Sequence, residues 1–140
     1  ARFSYPKGIT SDGRNLYVAD FGNHSLRKIS IASGTVTTFA GTVKEDGASA
    51  DQAEPARFNY PTGITTDGRN LYVADTFNRT IRKVVIAGGM VSTIAGKADL
   101  EWATDGAGAD ARFSDPVGIT GDGSYLYVSD SGNNTIRRIR

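Results

Sequence analysis

Short stretches of alternating apolar and polar residues recur along the chain, and turns rich in Gly and Asp separate them. Within residues 5–41, these stretches begin at Gly8, Leu16, Leu26 and Thr35. Alternation over four to eight residues, with many β-branched and aromatic side chains, predicts β-strands. Asp12-Gly13, between the first two stretches, predicts a tight hairpin turn. Because no segment shows a sustained helical period, the sequence predicts an all-β fold of short antiparallel strands.

The whole four-stretch pattern returns at a fixed spacing. Ala-Arg-Phe at 1–3 recurs at 56–58 and 111–113, a spacing of 55 residues, and the third unit holds three of the four stretches. A period in this range is typical of repeat architectures, in which neighbouring units cover each other's apolar faces. We predict one domain over 1–140, with units at about 5–41, 60–96 and 115–140 joined by loops at 42–59 and 97–114.

Four antiparallel strands in each unit are typical of a β-propeller blade. Every unit carries Pro-x-Gly-Ile-Thr followed by Leu-Tyr-Val-Ala/Ser-Asp-x-x-Asn, and this pattern resembles the NHL-repeat family over nearly the whole chain. The resemblance implies a β-propeller, which in this family typically has six blades. It implies no single activity, because NHL-like repeats occur in ligand binders, protein-interaction modules, RNA binders and some lyases.

Two four-stranded blades and a three-stranded third form an incomplete ring. One sheet face of each end blade is left uncovered, and large exposed apolar patches are rare on soluble monomers. We therefore expect self-association, with a homodimer as the first choice, because two chains supply the six blades that the resemblance implies and a closed ring covers both faces. Either another chain supplies the missing outer strand or the third blade has three strands. An excised or engineered repeat fragment would show the same pattern.

Residues that are identical in all units are interpreted as scaffold. In each unit an Asp stands three residues before an Asn, and such pairs brace turns through side chain-to-backbone hydrogen bonds. A metal or catalytic role is not expected, because chemistry rarely needs the same residue in every blade. These turn residues are Asp20, Asn23, Asp75, Asn78, Asp130 and Asn133. The Phe of each Ala-Arg-Phe is expected to fill the space between blades.

The loops at one end of the blades differ between units and form the candidate binding face. If each first strand runs from top to bottom, the turn after the second strand and the long inter-blade loop both emerge at the top, where a rigid scaffold presents them. Drift at exposed positions is the alternative interpretation. The candidate ligand-binding residues, for an unknown protein or small molecule, are Phe21, His24, Phe77, Arg79, Asn134 and, on the second long loop, Trp102.

Composition adds few constraints on function. The formal net charge of +1 gives no general attraction to nucleic acid or anionic membranes. The basic runs Arg27-Lys28, Arg82-Lys83 and Arg137-Arg138 are interpreted as a solvated surface, so RNA binding is an alternative and not the first choice. No Cys is present, so thiolate metal sites are excluded and the compartment stays open. No leader peptide or apolar run of membrane-spanning length is recognisable.

Enzymatic chemistry is not expected. The single His has no partners that would make it a metal ligand or a general base. The Asp-Gly loops at 46–51 and 105–110 lack the density of oxygen ligands found in a calcium loop. We therefore predict a non-enzymatic scaffold without a cofactor or metal, and keep a metal-containing lyase- or hydrolase-like propeller as the alternative.

Overall fold

The computed structural model describes residues 2–43, 57–97 and 105–140, which form eleven strands in three antiparallel sheets. Blade 1 contains β1 (Pro6–Ser11), β2 (Asn15–Asp20), β3 (Ser25–Ser30) and β4 (Val36–Gly41). Blade 2 contains β5 (Pro61–Thr66), β6 (Asn70–Asp75), β7 (Thr80–Val85) and β8 (Val91–Gly96). Blade 3 contains β9 (Pro116–Gly121), β10 (Leu126–Asp130) and β11 (Thr135–Ile139). The predicted all-β fold, with two four-stranded blades and a three-stranded third, is confirmed.

Each blade is a meander in which consecutive strands pair. A single turn of 3₁₀ helix links the second strand to the third in every blade. The loop at 46–51 and Trp102 lie outside the described residues. No helix in the described parts of the chain is long and apolar enough to cross a membrane.

Strand pairing gives each blade two distinct faces. Ile9, Val18 and Arg27 are neighbours across β1, β2 and β3, so they share one face of blade 1, which we call the first face. The same positions are Ile64, Val73 and Arg82 in blade 2 and Ile119, Val128 and Arg137 in blade 3. The second face carries the neighbouring residues of the same strands, which point the other way. They pair as Ala19 with Leu26, Ala74 with Ile81, and Ser129 with Ile136.

The hydrophobic core lies between neighbouring blades, in two interfaces that we call the first joint (blades 1 and 2) and the second joint (blades 2 and 3). In the first joint, Tyr17 and Leu26 from the second face of blade 1 pack with Phe58, Ile64 and Val73 of blade 2. In the second joint, Ala74 and Ile81 of blade 2 pack with Phe113 and Val128 of blade 3. Phe58 and Phe113 are buried in these joints, as expected for residues that fill the space between blades. Every joint therefore combines the second face of one blade with the first face of the next.

The inner strands β1, β5 and β9 lie side by side with their backbones close together. A Cβ atom at Gly8 would lie 2.5 Å from the Thr62 carbonyl oxygen, and one at Gly63 would overlap the Val117 carbonyl oxygen. The Gly of Gly-Ile-Thr is therefore required by this close approach in blades 1 and 2, since any side chain there would push neighbouring blades apart.

Candidate functional site

A buried carboxylate organises the turn at the top of blade 1. Asp20 accepts hydrogen bonds from the Ser4 N–H at 2.8 Å and from the Asn23 side-chain amide at 2.8 Å. The Arg27 guanidinium lies 3.2 Å from the same carboxylate. Asp75 has equivalent contacts with Asn59, Asn78 and Arg82. Asp130 has them with Ser114 and Asn133, and Arg137 lies 3.7 Å away. The turn residues identified in the sequence thus surround one carboxylate in each blade.

Burial raises the pKa of Asp75 to about 6, although hydrogen bonds from Asn59 and Asn78 and the Arg82 guanidinium act in the opposite direction. Arg82 is itself buried, and its guanidinium lies 5.5 Å from the centre of the Phe58 ring. The interpretation of the basic runs as solvated surface is therefore wrong for Arg27 and Arg82, which are both buried. Strand alternation places these two residues on the first face, where an Asp and a Phe cover the charge.

A second carboxylate motif lies at the opposite end of the blades, in the Asp-Gly hairpins. Asp67 accepts hydrogen bonds from the N–H groups of Arg69 and Asn70 and from the Tyr72 hydroxyl. Partial burial acts to raise the pKa of Asp67, but these hydrogen bonds outweigh it and lower the pKa to about 2. Burial and the bond to Asp12 raise the pKa of Tyr17, the matching tyrosine of blade 1, to about 12. The same contacts recur in every blade, so they belong to the scaffold.

Three of the candidate ligand-binding residues meet at the top of the first joint. Phe21 and Phe77 have ring centres 6.4 Å apart, and the Tyr60 ring lies between them at 4.7 Å from each. The His24 ring lies 4.2 Å from Tyr60, and its Nδ1 accepts a hydrogen bond from the Tyr60 N–H at 3.2 Å. We call Phe21, His24, Tyr60 and Phe77 the aromatic cluster. Sequence reasoning missed Tyr60; the available signal was a Tyr before the Pro of blades 1 and 2.

The remaining candidates do not join this cluster. Arg79 and Asn134 occupy the position equivalent to His24, each with a left-handed backbone at φ 56°. Asn134 is exposed on blade 3. Trp102 lies outside the described residues, so the structure does not place it.

An open slot of about 480 Å³ lies beside the aromatic cluster, over the inner strands. The Lys7 ammonium lies at the slot, 5.1 Å from the centre of the Phe21 ring. The Thr62 hydroxyl donates to the Val117 carbonyl, and the Thr76 hydroxyl donates to the Pro116 carbonyl. Both hydroxyls are therefore used to hold neighbouring blades. The side chains that line the slot are Lys7, Phe21, Thr62, Thr76, Phe77, Asp115 and Val117.

The two joints have equivalent cores but differ at the positions of the aromatic cluster. One repeat further along, the positions of Phe21, Tyr60 and Phe77 hold Thr76, Asp115 and Gly132. The second joint forms without any aromatic residue at these positions, so blade packing alone does not require them. Among the described residues, no group of three or more His, Cys, Asp or Glu side chains is arranged to hold a metal ion.

The three blades form an open arc, in which the first face of blade 1 and the second face of blade 3 are uncovered. Both faces expose residues whose equivalents are buried between blades. Ile136, on the second face of blade 3, is 74% exposed, whereas the equivalent Leu26 and Ile81 are 0% exposed. On the first face of blade 1, Ile9 is 60% exposed, whereas the equivalent Ile64 is 6% exposed. The two uncovered faces are thus the two halves of a joint.

Comparisons with known proteins agree with this architecture. The NHL repeat family model matches residues 3–29. NHL repeat-containing protein 2 of Gallus gallus is 28% identical over 98% of this chain and 21% of its own length. The Homo sapiens protein of that name is 35% identical over 67% of this chain and 14% of its own length. The chain therefore spans about a fifth or less of these relatives.

Solved structures share the fold as well. A crystal structure of a Bacteroides thetaiotaomicron protein of unknown function matches with a TM-score of 0.80 and 31% identity. The match covers 89% of this chain and 32% of that one. Repeat motif, sheet topology and relatives all lead to one assignment: the chain belongs to the NHL-repeat family, and its sheets are blades of a β-propeller.

Proposed function

We propose that the chain is a non-enzymatic binding scaffold whose propeller ring is completed by a second copy of itself. The observation that carries self-association is the contrast between Ile136 and its equivalents Leu26 and Ile81, which are fully buried within the chain. Burying one aliphatic side chain of this size contributes roughly 1.5–3 kcal/mol. A partner that covers Ile136 in the way blade 2 covers Leu26 therefore gains a substantial apolar contact.

The best-matched partner for each open face is the other open face. The first face of blade 1 presents Ile9 and Phe3, which correspond to Ile64 and Phe58 in the first joint. Tyr5 has φ 50°, close to the 52° of Tyr60, so its backbone already has the conformation used at that joint. A second copy would then repeat a joint that the chain forms twice internally. In a ring of two copies, both contacts are of this kind and the ring closes.

The aromatic cluster supports the binding part of the proposal. Its residues lie at the end of the blades where the loops differ from one repeat to the next. Loops on a rigid scaffold commonly carry function. The cluster residues also occur in one joint and not in the next, so the repeat fold does not account for them. We assign this end of the arc as the binding face.

No catalytic step is part of the proposal. The pKa is lowered at three equivalent hairpin carboxylates, Asp12, Asp67 and Asp122. Each of them accepts a hydrogen bond from a Tyr hydroxyl in its own blade. Groups that repeat unchanged in every blade are explained by turn geometry. RNA binding through the basic runs is disfavoured because Arg27 and Arg82 are buried against carboxylates.

Light scattering across a dilution series tests self-association. The parent chain should have twice its monomer mass, and Ile136→Glu should shift it to a folded monomer. Met90→Glu is the matched control, because Met90 is 50% exposed in the turn between β7 and β8, away from both open faces. A parent chain that is folded and monomeric at all concentrations would overturn the proposal. If a version extended by neighbouring repeats stops associating, blades of the same polypeptide cover these faces instead.

A further inference from the structure

We infer that the slot beside the aromatic cluster is a binding site for a small aromatic carboxylate, with its ring on Phe77 and Phe21 and its anionic group on Lys7. The inference rests on the proposed binding role, but not on self-association, because Lys7, Phe21 and Phe77 all belong to one chain. The slot has the volume of a small-molecule site, and such sites are typically apolar with a few placed polar groups.

The apolar part of the site is formed by rings held in fixed positions. The Phe21 and Tyr60 rings are inclined by 47° and the Tyr60 and Phe77 rings by 54°. They pack against one another, and Phe77 is still 53% exposed. An exposed ring supported by two others offers a large contact area at low cost in side-chain entropy. Aromatic ligands gain offset or edge-to-face contacts with such rings.

Lys7 selects the charge of the ligand. It is exposed, its ammonium lies over the Phe21 ring, and it makes no ion pair in the described part of the chain. The equivalent residues in the other blades are Thr62 and Val117, so the repeat fold does not require a cation here. A bound carboxylate would form a charge-assisted contact with this ammonium.

The two Thr hydroxyls of the slot are already engaged, and Asp115 is its second charged group. The Thr62 and Thr76 hydroxyls donate to backbone carbonyls, at 2.9 Å and 2.7 Å. The Asp115 carboxylate accepts a hydrogen bond from the Ser131 hydroxyl at 3.1 Å. Because Asp115 keeps its negative charge and would repel a carboxylate, the anionic end of the ligand lies at Lys7, away from Asp115.

The test titrates the parent chain with 3-phenylpropionate and, separately, with phenethylamine, following both by calorimetry and ligand-observed NMR. The two probes have similar rings and opposite charges. We expect the carboxylate to bind and the amine to bind at least roughly tenfold more weakly, the difference expected for one charge-assisted contact. Equal binding of the two probes, or no binding of 3-phenylpropionate at millimolar concentration, overturns the inference.

Variants then locate the site. Phe77→Gly, which installs the residue found at the equivalent position of blade 3, should abolish carboxylate binding. Lys7→Gln should weaken binding roughly tenfold, and Lys7→Arg should restore most of it. Met90→Ser, at a site of similar exposure, should bind like the parent. Unchanged binding in Phe77→Gly overturns the assignment.

Light scattering on the same samples separates the two proposals. A parent chain that assembles but does not bind 3-phenylpropionate contradicts this inference and leaves self-association standing. A folded monomer that binds 3-phenylpropionate contradicts self-association and supports the site.

Discussion

The His24 imidazole and the Tyr60 backbone form a hydrogen bond that joins blade 1 to blade 2. Nδ1 of His24 accepts from the Tyr60 N–H at 3.2 Å, across 36 residues of sequence. Both residues have left-handed backbones, with φ 53° for His24 and 52° for Tyr60. One contact therefore links two residues with uncommon backbone conformations at the top of the first joint.

Replacing His24 tests the strength of this contact. His24→Ala removes the acceptor and should lower the free energy of unfolding by about 1–2 kcal/mol. His24→Asn keeps an acceptor and a residue type that tolerates φ near +55°, so its loss should be smaller. Urea unfolding followed by circular dichroism gives both values. Equal losses in the two variants would show that the hydrogen bond contributes nothing.

The buried ion pair of blade 2 should be the most costly to break. Arg82→Met leaves the Asp75 carboxylate buried without its guanidinium, and losing one partner of a buried pair costs about 3–5 kcal/mol. Arg137→Met is the comparison in blade 3, where Arg137 lies 3.7 Å from Asp130 instead of 3.2 Å and makes its shorter ion pair, at 2.9 Å, with the exposed Asp105. An exposed ion pair contributes little to stability. The cost of Arg137→Met should be clearly smaller. Denaturant midpoints that fall equally in both variants would contradict this ranking.

Asp67 makes the fold sensitive to acid. Its pKa of about 2 in the folded state lies below the unfolded value of 3.8. Its ionised form therefore stabilises the fold above about pH 4, and the contribution is lost as the pH falls from about 4 to about 2. Asp67→Asn should be less stable than the parent at pH 7, with a difference that shrinks toward pH 2.

Urea midpoints at several pH values measure that difference. Asp110→Asn, at an exposed carboxylate on the second long loop, is the control and should show little change at any pH. A gap between Asp67→Asn and the parent that stays constant with pH would rule out the titration of Asp67 as its cause.

The close approach of the inner strands predicts a strong asymmetry between two glycines. Gly63→Ala places a methyl group on the Val117 carbonyl oxygen and should cost about 1–3 kcal/mol through overpacking. Gly121→Ala is the control, because its new Cβ would lie 3.4 Å from Leu126 and 3.5 Å from a backbone oxygen, which is ordinary contact. Thermal unfolding distinguishes the two. A Gly63→Ala variant as stable as Gly121→Ala would contradict the observed strand spacing.

The strands were predictable because each unit repeats the same short alternation, and neighbouring blades bury their sheet faces against each other. The contact between His24 and Tyr60 was not, because it depends on how one blade sits against the next. Nothing local to either residue encodes that offset. Tyr60 is unremarkable in the sequence until the structure places it between Phe21 and Phe77.

The buried arginines were misread for a related reason. Arg82 stands beside Lys83 in a basic run, which suggests an exposed surface. Neighbouring residues of a strand point to opposite faces, and only one of these two faces is covered by an Asp and a Phe. The open faces, by contrast, followed from counting blades, because the number of joints is set by the number of repeats.

Because each blade has two distinct faces, the arc has a polarity: one end presents the first face of blade 1 and the other end presents the second face of blade 3. Under the proposed self-association, a copy altered at Ile136 keeps an intact first face on blade 1 and still pairs with the second face of an unaltered copy, but its own second face pairs with nothing. In a mixture, such a molecule would act as a cap, leaving assemblies open that would otherwise close. If the proposed ring forms, a single substitution therefore also prevents unaltered copies from closing it, and the fraction of open assemblies grows with the proportion of altered chains.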